Sequence, residues 1–297
     1  MFKSGFVTII GKANVGKSTL LNALVGEQVA IVSWRPQTTR DKIIGIMNGD
    51  NYQAVFVDTP GIHKAKNELS KFMMKNVESA LDGVDIVIYV LNGEKSIDEN
   101  DMKIINQYAA SCTPFIVVIN KMDVADREKV LGMIDKLKDI EGIDSIVPIS
   151  AMKGKKLDIL KERIEANLKE GVQFYPEDMI TDKSVRFMVA EIIREKAMKF
   201  LGEEVPYGVA VSINLFKERD DSLIDIDADI ICEKSAHKPI IIGKGGAMLK
   251  KIGSSARVDI EKLLDCKVFL NLWVRVKADW RDSELMLNEL GYNIKDI

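Results

Sequence analysis

The octapeptide Gly11-Lys12-Ala13-Asn14-Val15-Gly16-Lys17-Ser18 joins an apolar run, Val7 to Ile10, to a helix-favouring stretch, Thr19 to Val25. GxxxxGK[ST] between a strand and a helix demands a parallel α/β sheet with a loop at a strand's carboxyl end. In such a loop the glycines let the backbone curl around a phosphate, and successive N–H groups and the helix dipole point at negative charge. Lys17 then reaches the outer phosphates, and Ser18 is placed to ligate Mg²⁺.

Length sets the prior at about two domains for 297 residues. With 46% apolar and 29% charged residues, the composition is that of an ordinary globular protein and excludes fibrous and disordered classes. Cys112, Cys232 and Cys266 are widely spaced and form no CxxC pair, so neither a disulfide framework nor a zinc site is expected. A reducing cytoplasm fits. The pure apolar runs, such as Ile86 to Leu91 and Phe115 to Ile119, fall well short of the ~20 residues that span a bilayer, and no signal peptide is expected. At a net charge of −3, a phosphate-backbone partner must be met by a local basic patch.

The first half alternates short apolar runs with amphipathic stretches. Val7 to Ile10, Ala54 to Val57, Ile86 to Leu91, Phe115 to Ile119 and Ile146 to Ile149 read as buried strands. Ser70 to Leu81, Glu99 to Ala110, Glu128 to Lys138 and Leu157 to Leu168 carry helical spacing. This predicts a mostly parallel sheet with helices on both faces. Asn48-Gly49-Asp50-Asn51 between two apolar runs is a hairpin signal, so one sheet edge is expected to be antiparallel.

Further motifs fall at the carboxyl ends of these strands. Asp58-Thr59-Pro60-Gly61 places a carboxylate near the metal and a glycine N–H near the terminal phosphate. Asn120-Lys121-Met122-Asp123 adds base selectivity, because a carboxylate accepts two N–H bonds from the guanine edge and adenine offers no such pair. Asp123 therefore selects GTP over ATP. The backbone of Ser150-Ala151-Met152, before Lys153, offers N–H groups to the guanine oxygen. The expected GTP/GDP contacts are Gly11 to Thr19, Asp58 to Gly61, Asn120, Lys121, Asp123 and Ser150 to Met152, including Ala13, Val15, Gly16, Thr59 and Pro60.

With these motifs in order, residues 5 to about 170 resemble GTPase domains of the translation-factor-related class. Pro36-Gln37-Thr38-Thr39-Arg40-Asp41 is similar to the first switch of the TrmE/Era/EngA group. That resemblance implies that Thr39 closes over Mg²⁺ and the terminal phosphate, giving Ser18, Thr39 and Asp58 as the Mg²⁺ set and Lys17, Thr39 and Gly61 as the catalytic set. Ile62 stands where Ras-type enzymes carry a water-orienting glutamine. The group shares that role with a monovalent cation, which makes Asn14 a K⁺ ligand, with carbonyls around Val32 to Arg35; the alternative for Asn14 is a loop cap. His63 as a general base and Arg35 or Arg40 as internal arginine fingers are weaker readings, since all three also suit a switch segment.

Beyond Leu168 the pattern changes. Residues 173–181 read as a linker between a GTPase domain at 1–172 and a second domain at 182–297. A helical face from Val185 to Phe200 precedes two alternating strands, Val209 to Leu215 and Ile224 to Ile230, the second with a solvated row of Asp225, Asp227 and Asp229. A third strand, Val268 to Val276, sets Phe269 and Trp273 on one sheet face. Between them lies Ile240-Ile241-Ile242-Gly243-Lys244-Gly245-Gly246, followed by a helix bearing Lys250 and Lys251. Glycines there let a nucleic-acid backbone approach, lysines supply charge, and the isoleucines line a groove for unpaired nucleotides. The segment resembles a type II KH domain of α+β class, with Ile241, Ile242, Gly243, Lys244, Gly245, Gly246, Lys250 and Lys251 as RNA contacts.

A P-loop GTPase domain followed by a type II KH domain is similar to the Era family, and the likeness covers essentially the whole chain. It implies a slow GTP hydrolase and switch that binds the single-stranded 3′ end of small-subunit ribosomal RNA and assists assembly of that subunit. It also implies a cytoplasmic monomer with some peripheral attachment to the inner membrane face. The alternative is a membrane- or protein-directed signalling GTPase whose second domain binds a polypeptide.

Overall fold

The computed structural model describes residues 1–297 except 34, 36, 37, 61–66, 82, 221 and 293–297. Two compact units emerge, Met1–Lys64 with Met73–Asp182, and Ala65–Phe72 with Lys183–Ile297.

Up to residue 182 the chain runs β1 (Lys3–Ile10), α1 (Lys17–Val25), β2 (Ile43–Gly49), β3 (Tyr52–Asp58), α2 (Glu68–Ser79), whose residues 68–72 fall in the second unit, β4 (Ile86–Asn92), α3 (Glu99–Ala109), β5 (Phe115–Asn120), α4 (Arg127–Leu137), β6 (Ser145–Pro148), α5 (Leu157–Asn167) and β7 (Lys169–Glu170). The sheet order is β2-β3-β1-β4-β5-β6. All pairs along it are parallel except β2 with β3, joined by the expected hairpin. Every residue of β4 and β5 is buried, which is why these strands read as unbroken apolar runs rather than alternating ones. α3 starts at a polar cap: Asp98 accepts from the N–H groups of Asn100 and Asp101, while Asp101 accepts from the N–H of Asp98, closing a capping box. β7 was not expected; it pairs antiparallel with the start of β1.

Residues 173–181, expected as a linker, are held against β2 and β3 rather than hanging free. Gln53, fully buried, accepts from the N–H groups of Phe174 and Tyr175 at 2.8 and 2.9 Å and donates to the Tyr175 carbonyl at 2.8 Å. Ile46 N–H donates to the Ile180 carbonyl at 2.9 Å. An otherwise open edge of β2 is thereby partly covered.

The second unit runs α6 (Val185–Phe200), β8 (Val209–Asp220), β9 (Leu223–Cys232), α7 (His237–Ile242), α8 (Ala247–Leu264), β10 (Lys267–Val276) and α9 (Glu284–Glu289). Its sheet order is β10-β9-β8, with β10 parallel and β8 antiparallel to β9. Val189, Ile192 and Ile193 of α6 and Ile252, Ala256 and Ile260 of α8 share one core with the inward residues of all three strands. The other sheet face carries Phe269 and Trp273, both more than half exposed, as the alternation predicts. The aspartate row is not simply solvated: Arg219 bonds Asp225, Asn271 donates to Asp227 at 2.8 Å, and Arg275 donates to Asp229 at 3.4 Å.

Candidate functional site

The phosphate loop follows β1 and opens α1. Gly16 has φ 99°, and a Cβ there would lie 2.3 Å from Asn120 Nδ2, so both backbone conformation and space require glycine. Lys17 is buried, and burial holds its ammonium below the ordinary lysine range despite the nearby charge of Asp58. Its Nζ donates to the Gly11 and Lys12 carbonyls, each at 3.2 Å.

Three residues far apart in sequence meet beside it. Ser18 Oγ lies 2.8 Å from Thr39 Oγ1, and both hydroxyls donate to Asp58 Oδ2, at 2.8 and 3.2 Å. Asp58 is fully buried, and burial pushes its carboxyl up against the opposing pull of Lys17 and the two hydroxyls. Its other oxygen, Oδ1, is buried with no hydrogen-bond partner among the described residues. A hard cation that accepts hydroxyl and carboxylate oxygens suits this cluster and would satisfy the orphaned atom. Ala13, Asn14, Thr19, Val32, Ser33, Arg35 and Thr38 line the same cavity. Asn14 is exposed with φ 64°, facing the segment that the sequence offered as carbonyl ligands for a monovalent ion. Arg35 and Arg40 are both buried, and Arg35 borders the phosphate cavity. Gly61 and His63 lie outside the described residues, as do Pro36, Gln37 and Ile62.

At the base end, Asn120 ties two loops together: Nδ2 donates to the Val15 carbonyl at 2.9 Å and Oδ1 accepts from Ala151 N–H at 3.0 Å. The Ala151 N–H, expected to face guanine, is thus engaged by Asn120 here. Asp123 accepts from Ser150 Oγ at 2.6 Å, which keeps its carboxyl below the usual range and ionised. Lys121 takes φ 68° at this turn, and Met152 is two-thirds exposed. Thr59 is fully buried and donates to the Ile9 carbonyl at 3.2 Å, so its side chain joins β3 to β1 rather than facing a ligand. Pro60 is buried beside it.

The second unit has its own groove. A cavity of about 560 Å³ lies between the start of α8 and β10, lined by Gly246, Leu249, Lys250, Ser254, Arg257 and Leu270 among others. Gly243, Gly245 and Gly246 all take positive φ, and nothing lies within 4 Å of a Cβ built at Gly245 or Gly246, so the turn presents bare backbone to solvent. Lys244 and Lys250 are exposed. One expectation is corrected. The three isoleucines form the short helix α7, which turns Ile241 fully into the core, where it cannot touch RNA; Ile242 is half-buried. Lys251 is exposed and lies over the Phe200 ring, 4.5 Å from its centroid. Ser254 and Arg257 were missed, although they recur at four and seven residues from Lys250 on one face of α8.

Residues 6–121 match the family model described as 50S ribosome-binding GTPase, and residues 204–281 match the KH domain model. GTPase Era of Clostridium botulinum (strain Hall) is 51% identical over 292 residues, covering 98% of this chain and 99% of the relative. The chain belongs to the Era GTPase family. GTPase Era of Clostridium kluyveri is 49% identical, covering 98% of this chain and all of its own. Two solved Era structures superpose with a TM-score of 0.93 at 41% identity, each over its whole length and at least 98% of this chain. One is Era in complex with MgGDPNP and nucleotides 1506–1542 of 16S ribosomal RNA; the other is a variant of Aquifex aeolicus Era bound to GDP·AlF4⁻. The P-loop α/β fold followed by a KH domain is therefore that of the Era family, and the chain is a GTPase.

Proposed function

We propose that this Era-family GTPase is a GTP-driven switch that grips the single-stranded 3′ end of small-subunit ribosomal RNA during assembly of that subunit. One observation carries the reading: the Ser18, Thr39 and Asp58 oxygens converge beside buried Lys17, in a chain whose second unit presents a glycine turn over an open groove. The solved Era complex with a 16S ribosomal RNA fragment supports the choice of RNA.

Lys17 and the phosphate-loop N–H groups bind the phosphate chain, and Asp123 accepts the guanine N–H pair. Ser18, Thr39 and Asp58 would hold Mg²⁺, which offsets charge on the terminal phosphates. Thr39 joins this set only when the first switch is closed, so nucleotide state and switch order are linked. Asn14, with carbonyls around Val32 to Arg35, would hold K⁺, which would share the role that a glutamine plays in Ras-type GTPases. In the groove, Gly243 to Gly246 admit an RNA phosphate, while Lys244, Lys250 and Arg257 supply charge and Leu249, Leu270 and Ile242 face the bases. The reading includes domain boundaries at 1–172 and 182–297 and a cytoplasmic monomer with peripheral attachment to the inner membrane face. Among the described residues no helix is long and apolar enough to cross a membrane.

The test is anisotropy titration of a labelled oligonucleotide carrying the small-subunit ribosomal RNA 3′ end, against a scrambled one of equal length, at two salt concentrations. The reading expects preference for the native sequence and binding that weakens with salt. Equal affinity for both oligonucleotides would overturn it. Exchanging K⁺ for Na⁺ in a hydrolysis assay tests Asn14: a rate that does not fall removes the K⁺ assignment.

A further inference from the structure

Lys12, an unspecified position in the phosphate-loop pattern, sends its side chain away from the phosphate cavity. Its Nζ pairs with Asp98 and, at 2.9 Å, with Asp101 Oδ2 at the start of α3. Asp101 is itself fixed: its side chain is 7% exposed, and Oδ1 accepts from the hydroxyl of fully buried Tyr89 at 2.7 Å. A buried, oriented carboxylate is a firmer anchor than a surface ion pair, whose long side chains exchange freely with water. Burial works against the charge on Lys12, yet hydrogen bonds to Asp101 and Asp98 hold its ammonium above the ordinary lysine range. The same contact, with backbone N–H bonds from the helix start, draws Asp98 down to about 2.

A cavity of about 160 Å³ separates the phosphate loop from α3, with Lys12, Asp98 and Asp101 on its walls. Across that gap the ion pair bridges the loop to the start of α3. On the far side of the gap, the Lys12 and Gly11 carbonyls accept from Lys17 Nζ. The same β4–α3 connection also carries Glu94, whose carboxylate receives Lys121 Nζ at 3.1 Å from the base-reading loop. One short segment is thus tied to both ends of the nucleotide site.

We propose that Lys12 is a positioning residue for GTP hydrolysis: clamped by Asp98 and Asp101, it fixes the loop backbone that aims Lys17 and the phosphate-binding N–H groups. This rests on the reading of Lys17 as the phosphate-holding lysine. Small displacements of a phosphate-aligning group lower the chemical step more than binding, because the transition state needs tighter alignment than the ground state. Lys12→Met removes the ammonium and keeps most of the stem, Lys12→Arg restores a cation of similar reach, and Asp101→Asn removes the anchoring charge.

The experiment measures kcat and KM for GTP and the Tm of the full chain for wild type, Lys12→Met, Lys12→Arg, Asp101→Asn and the Lys12→Met/Asp101→Asn double variant. In Lys12→Met kcat should fall by about tenfold with KM changed less than about threefold, and Lys12→Arg should recover most of the loss. The double variant should lose no more than the worse single one, because both changes cut the same tie. An unchanged kcat in Lys12→Met, a loss that tracks Tm and is not rescued by arginine, or fully additive losses would each overturn the proposal. Wild-type hydrolysis in the same assay separates this from failure of the Lys17 reading, which predicts loss of nucleotide binding in Lys17→Ala whatever Lys12 does.

Discussion

The nucleotide site and the groove proposed for RNA are built in opposite ways. In the first unit, side chains from four strand ends converge and most are buried: Lys17, Thr39, Asp58 and Asn120 are each less than a tenth exposed. In the second, one turn of glycines and one face of α8 lie open, with Lys244, Lys250 and Arg257 in solvent. A small polyanion must be desolvated to be aligned for chemistry, so its contacts are few, buried and intolerant. A flexible polymer is gripped by shape and by many weak contacts, so each one is expendable. Mutational sensitivity should divide along the same line.

The largest effect is expected at Lys17. Lys17→Ala removes the buried cation and leaves Asp58 without its neighbouring charge, so calorimetry should find GTP affinity reduced by more than about a hundredfold. Retained affinity would break the comparison at its stronger end. Removing Mg²⁺ with EDTA should lower the hydrolysis rate by a similar order, since charge on the terminal phosphates then lacks the cation that Ser18, Thr39 and Asp58 would hold. Asp123→Asn should follow, costing GTP about a hundredfold and raising affinity for xanthosine triphosphate, whose base supplies an acceptor where guanine has a donor. Competition binding with both nucleotides reads this directly.

Smaller effects belong to the groove. Gly245→Asp places a β-carbon on a residue with φ 59° and a carboxylate beside the expected RNA phosphate, so RNA affinity should drop by about tenfold. Lys250→Ala should cost only about threefold and reduce the salt slope by about 1. Smallest of all should be Lys251→Ala, because that lysine sits over Phe200 and not in the groove; equal losses at Lys250 and Lys251 would show that the groove extends over both faces of α8.

The same contrast explains what the sequence made legible. Gly11 to Ser18, Asp58 and Asn120 to Asp123 stood at strand ends, and buried polar chemistry leaves few residue types able to serve, so spacing alone located them. Thr59 belonged to a motif yet turned its hydroxyl to the Ile9 carbonyl, a packing role that a motif cannot announce. Three consecutive isoleucines before a glycine turn could not reveal which one points inward: that depends on α7, a helix of one and a half turns with too little length to show a period. Gln53 is a further case. A lone glutamine in a strand carries no signal, although its amide holds residues 174 and 175 through three backbone hydrogen bonds that only the tertiary structure creates. Likewise Lys12 gains meaning only from Asp101, far along the chain and itself placed by Tyr89.

Binding of the unpaired small-subunit ribosomal RNA 3′ end to the full chain, titrated in Mg²⁺ buffer with GDPNP and again with GDP, tests the switch most directly. The account predicts that RNA affinity differs between the two states by at least about fivefold and, by linkage, that saturating RNA changes the affinity ratio of the two nucleotides by the same factor. Identical RNA affinity in both states would contradict it.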